Sequence, residues 1–146
     1  MHKNIYDEEI KILTGKDTVR GYELFIELTK ELSKNNKYYG MIDRLIPLLK
    51  SNNAYVRIRS FCLLCYEARW DDENRLDDCI DEILMLLNDE KPVVVRKCIE
   101  ALHELLIYKD YSSKVEKALG SVDLSKYKDS MKPLIQKDIA ELKKSL

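Results

Sequence analysis

Apolar residues recur every three or four positions along most of this chain, interrupted by short polar stretches. That spacing is the stripe of an amphipathic helix, and it predicts helices over about 5–13, 18–34, 38–50, 54–70, 73–88, 92–108 and 130–145. The punctuation between them has the chemistry of helix ends. Gly15 closes the first helix and Asp17 is placed to cap the second. Asn52-Asn53 precede the fourth, and Pro92 sits at the first position of the sixth, where a missing N–H costs nothing. Ser113 and Glu116 have the spacing of a capping box for a further short helix closed by Gly120.

The pattern repeats. Sliding the sequence by about 37 residues, the length scale of helical repeats, brings Val19-Arg20 onto Val56-Arg57 and Ile58-Arg59 onto Val95-Arg96. The apolar positions follow, with Leu24, Phe61 and Cys98 aligned, then Leu28, Cys65 and Leu102. The preceding helices align at about 38, where Ile42, Leu45, Ile46 and Leu49 fall on Ile80, Ile83, Leu84 and Leu87. The unit is therefore a helix A, a short turn and a helix B, and one turn differs in length by one residue. Pro47 lies inside the second A helix, where it removes a backbone bond and predicts a bend.

A bent A helix followed by a straight B helix with Val-Arg near its start resembles the HEAT repeat. The stretches IPLLKSNNAYVRIRSFCLL and LMLLNDEKPVVVRKCIEAL carry that resemblance. It implies an all-α superhelix, a HEAT/armadillo-like solenoid of three to four helix pairs. The chain would be one domain with units at about 1–34, 38–70, 73–108 and 112–146. Over the whole chain, ARWDDENRLDDCIDE, DEKPVVVRKCIEAL and YKDSMKPLIQKDI are similar to a family of small bacterial HEAT-like proteins of unassigned function. Some of that family carry a "SufBD protein" label, which would imply iron–sulfur assembly; the Suf scaffold subunits are β-helical, and nothing here reads as a β-helix.

Helix faces turn this pattern into candidate roles. With Ile58 at zero and about 100° per residue, Phe61, Cys62, Cys65 and Arg69 form the face toward the A helices. Arg57 and Arg59 fall on opposite flanks, each with a repeat-mate, Arg20 and Arg96. These four predict a structural ladder between repeats, with Asn52 and Asp89 in the A–B turns as partners. The alternative is an anion site; near a helix N-terminus the dipole opposes an uncompensated cation, which favours the ladder. Opposite the A helices lie Ser60, Leu63, Leu64 and Glu67 in one unit, Ile26 in another, and Lys97, Glu100 and Glu104 in a third. In a stacked array these would line a concave surface of mixed charge with an apolar spot, suited to a protein or peptide, unless terminal helices cover it. Trp70, the only tryptophan, ends its helix as either a cap on a neighbour or a hot-spot anchor.

Composition narrows the chemistry. With 25 basic and 26 acidic residues the net charge is −1, which makes nucleic acid an unfavourable partner. A nucleic-acid binder built like the HEAT-like DNA glycosylases is the second reading. No run approaches the roughly 20 apolar residues of a membrane span, and MHKNIYDEEI lacks a signal peptide's apolar core. Those features, with four cysteines, predict a cytoplasmic protein with reduced thiols. Cys62 and Cys65 have zinc-like spacing, yet they, Cys79 and Cys98 align with apolar residues of other repeats, so they read as core. The acidic run from Asp71 to Glu82 lacks the glycine and ligand spacing of a calcium loop and reads as a solvated face. His2 and His103 stand apart from any nucleophile motif. No cofactor, metal or catalytic group is predicted; the function expected is a non-catalytic scaffold, with partner and oligomeric state left open.

Overall fold

The computed structural model describes residues 5–146, which leaves His2 outside the described residues. Among these the fold is all-α: eight α-helices and several single 3₁₀ turns, with no strand. The chain falls into two compact units, one ending at Asp71 and the other running Asp72–Leu146. Each contains two A/B helix pairs.

In the first unit, α1 (Asp7–Leu13) packs on α2 (Thr18–Leu32), and α2 packs on α4 (Ala54–Glu67). Asp17 caps α2 by accepting the Arg20 amide, and Asn53 caps α4 by accepting the Tyr55 and Val56 amides. Between them the second A segment is not one continuous α-helix. A 3₁₀ turn at Tyr39–Met41 leads into α3 (Ile42–Leu45), and Ile46–Lys50 is 3₁₀ again. The tightening falls at Pro47, as a missing donor would predict. Its counterpart at a shift of 38 is Met85, and there too α5 (Ile80–Leu84) gives way to a 3₁₀ turn, Met85–Asn88. The tightening therefore belongs to the repeat, and the proline fits a geometry it does not create.

In the second unit α6 (Pro92–Tyr108) packs against the Met85–Asn88 turn and against α8 (Lys132–Lys143), while α7 (Ser112–Gly120) packs on α5. The expected capping box at Ser113 and Glu116 does not form. Helix α7 starts at Ser112, two residues earlier than a Ser113 cap would set, and its cap residue Tyr111 makes no side-chain cap bond. The Tyr111 hydroxyl instead donates to Asp77 at 2.5 Å.

The long-range side-chain bonds have one common span. Arg44 to Asp7, Trp70 to Leu32, Tyr39 to Asp71, Lys114 to Asp81, Tyr127 to Asp89 and Arg96 to Asp138 all join residues 32–42 apart. Each therefore reaches about one repeat along the chain, within one of the two units, as expected when a helix pair touches the next pair. Several satisfy helix-end carbonyls, which have no partner within their own helix. The Trp70 indole N–H donates to the Leu32 carbonyl at 2.6 Å, and Arg69 donates to Ser33, so the end of α4 closes the end of α2. The Tyr127 hydroxyl does the same for the Asp89 carbonyl. Asp71, placed by the sequence on a solvated face, is in fact 2 % exposed and accepts from Tyr39.

Candidate functional site

The surface expected on α4 does not exist as a surface. Ser60, Leu63 and Leu64 are each 1 % exposed, and Glu67 is wholly buried. They correct the expectation of an open concave face there. The reason is visible in the helix: on the face first assigned to the core, Phe61 and Cys65 are buried but Ile58, Cys62 and Arg69 are only half-buried, while the supposed outer face is sealed. The partly open side of α4 is thus the one assigned to the core, and the expected orientation is reversed. The uncharged run Ser60-Phe61-Cys62-Leu63-Leu64-Cys65 was the sequence signal for the sealed face. Ile26 is half-buried, and Trp70 is half-buried with its donor already used.

Helix α6 differs because charges interrupt its apolar run. Lys97 and Glu100 are exposed and paired at 3.9 Å, while Glu104 is half-buried. Val93, Arg96, Lys97, Glu100 and His103 follow one another at helical spacing, so they share a side of α6. Facing them are Met131, at the start of α8, and Asp138 and Glu141 on it. The two helices enclose a cleft of about 290 Å³. Its floor is apolar, from buried Ile99, half-buried Met131 and Val93, the last 49 % exposed. Across it Arg96 Nε donates to Asp138 Oδ2 at 2.6 Å and Nη2 to Oδ1 at 3.3 Å. That hydrogen bond is the main reason the Arg96 guanidinium is held above its ordinary value. With Arg96 and Asp138 committed to each other, the remaining rim carries Lys97 against Glu100 and Glu141.

The four arginines take four different roles. Arg96 joins α6 to α8. Arg59 joins α4 to α2, with its guanidinium over the rings of Tyr22 at 5.6 Å and Tyr55 at 5.4 Å. Arg57, by contrast, donates to the Ser51 carbonyl of its own A–B turn at 2.9 Å. Arg20 is exposed and takes part in the Asp17 cap through its backbone amide. Asn52 is exposed, and its neighbour Asn53 is the cap. Asp89 accepts the Lys91 amide with its side chain and the Tyr127 hydroxyl with its carbonyl. The uniform ladder is thus corrected to separate joints of unlike chemistry. The equivalent positions Arg59 and Arg96 even face opposite ways along the chain, to the preceding B helix in one unit and the following one in the other.

Of the cysteines, Cys65 and Cys98 are buried in the core, and Cys62 and Cys79 are half-buried. Among the described residues no three His, Cys, Asp or Glu side chains converge to hold a metal ion. No helix among them is long and apolar enough to cross a membrane. Met131, Asp138 and Glu141 were not singled out from the sequence, because the pattern of the last helix does not say which neighbour its sides meet. No family model matches the chain, and no curated protein or solved structure is detectably similar to it.

Proposed function

We propose that this chain is a non-catalytic, HEAT-like helical-repeat module that holds a short segment of a partner protein in the cleft between α6 and α8. The observation that carries the reading is the cleft itself: an apolar floor at Val93, Ile99 and Met131 beneath a rim of both charges. Apolar floors supply affinity, and a mixed rim fixes register while disfavouring polyanions such as nucleic acid. Two residues singled out from sequence, Lys97 and Glu100, stand on that rim.

The test is to select binders from a random peptide display library and map them on the protein by amide chemical-shift changes. The reading expects selected peptides to perturb α6 and α8 and to lose about tenfold or more in affinity with Val93→Asp, an exposed position that leaves the core intact. Peptides that map elsewhere, or that bind Val93→Asp undiminished, would sink it.

A further inference from the structure

Arg59 is 9 % exposed, yet no hydrogen-bond acceptor or carboxylate among the described residues engages its guanidinium; its neighbours are two tyrosine rings. Burial lowers its pKa below the ordinary guanidinium value, and only Tyr55 and Tyr22 act the other way. No acid stands close enough to contribute. A guanidinium carries five N–H donors in a planar fork and accepts nothing. Nine-tenths of the residue is out of water, while its nitrogens are not among the polar atoms sealed from solvent. The donors therefore sit at the bottom of a recess with an open side.

The recess is built. Its wall on α2 is Gly21, where a Cβ would lie 2.9 Å from Arg59 Nη1, so only glycine lets the head group seat against that helix. Its rim is Tyr22 and Tyr55, 53 % and 58 % exposed, whose rings flank the guanidinium. Beside them on α2 are exposed Val19 and half-buried Ile26. Exposed tyrosines framing an arginine, with aliphatic neighbours, have the composition of a binding hot spot.

We infer that Arg59, Tyr22 and Tyr55 form a receptor for a single carboxylate, the side chain of an Asp or Glu flanked by apolar residues in a partner segment. Charge decides between anions. A planar, singly charged carboxylate matches one guanidinium edge in a two-bond fork. A phosphate dianion calls for a second cation, and Arg20 lies about 200° round α2 from Tyr22, on its other side. The rings hold the fork in place before the ligand arrives, which reduces the ordering cost of binding. This site lies wholly in the first unit and stands independently of the α6–α8 cleft.

The test titrates the wild-type protein with the acetylated, amidated tripeptide Leu-Glu-Leu, with Leu-Gln-Leu and with inorganic phosphate. The readout is the Arg59 Nε–Hε resonance, assigned by its loss in Arg59→Met, together with the Tyr22 and Tyr55 ring signals. The Glu peptide should give a saturating shift and bind about tenfold more tightly than the Gln peptide. Tyr55→Ala, at an exposed position, should weaken the Glu peptide severalfold while Trp70 fluorescence reports an intact first unit. A shift that does not saturate, an equal response to Gln, a response to phosphate alone, or unchanged binding in Tyr55→Ala would each overturn the assignment.

Discussion

Gly21→Ala tests the joint on which the first unit turns. Glycine in a helix interior is less stable than alanine by about 0.5–1 kcal/mol, so on propensity alone the substitution should help. The structure opposes that gain. The new Cβ would lie 2.9 Å from Arg59 Nη1 and 3.3 Å from the Ile12 carbonyl. The arginine head is the end of a flexible chain and can leave, but leaving breaks its stacking on Tyr22 and Tyr55. Each such contact contributes about 0.5–1 kcal/mol, so about 1–2 kcal/mol is lost. The net effect is a destabilisation of about 0.5–1 kcal/mol, opposite in sign to the propensity. The decisive measurement is the same substitution in an Arg59→Met background, where no head group needs displacing. There alanine should be neutral or stabilising, giving a coupling of about 1 kcal/mol or more between the two sites. Urea unfolding followed by Trp70 fluorescence is the assay, because the only tryptophan lies in the same unit and its indole is tied to the end of α2. If Gly21→Ala costs the same in both backgrounds, within about 0.3 kcal/mol, the seating of Arg59 against α2 is not what the glycine permits.

Other consequences can be checked alongside. Asp138→Asn should destabilise the second unit by about 1 kcal/mol, and a double-mutant cycle with Arg96→Ala should show the coupling shrink in high salt, since both side chains are partly exposed. Burial, with Asp89 and Asp123 nearby, raises the Tyr127 phenol above its ordinary value of 10.0. The folded state therefore favours the protonated form. Stability from this group is complete below pH 10 and declines as the pH rises through the folded value, so Tyr127→Phe should flatten that alkaline decline in a melting series. Pro47→Ala should leave helical circular dichroism unchanged and stability within about 0.5 kcal/mol, because the same tightening occurs at Met85 without a proline; a large gain in helicity would show that the proline causes the turn.

What the sequence revealed and what it hid follow from how far each signal reaches. Helix ends are local chemistry, and Asp17, Asn53 and Pro92 all stand where their side chains or rings predict. The repeat was legible because its period is written in apolar identities, and the bonds spanning 32–42 residues have the same length scale. Orientation was not legible. A wheel drawn on α4 assumes one buried arc, but Ser60, Leu63, Leu64 and Glu67 are enclosed along with Phe61 and Cys65. Which side of a helix faces water depends on what lies beyond it, and no periodicity within that helix encodes that. Charge is the better guide. Helix α6 carries Lys97, Glu100 and His103 at spacings that break its apolar run, and those residues border the cleft. Helix α4 carries no charge between Arg59 and Glu67, and that stretch is buried apart from half-buried Cys62 and Tyr66.

The same reasoning separates the arginines, which in the sequence look like four copies of one device. Near the start of a B helix a guanidinium opposes the dipole, so each needs a local remedy, and the remedy depends on the residue opposite. Arg57 finds the Ser51 carbonyl, Arg96 finds Asp138, and Arg20 points into water. Arg59 alone is buried against aromatic faces, which balance charge but accept no hydrogen bonds from a planar fork. The repeat fixes where an arginine stands; only the neighbouring helix decides whether it becomes a joint, a cap or an open set of donors. In this chain the position that departs furthest from its repeat-mates is the one whose donors remain available to a partner.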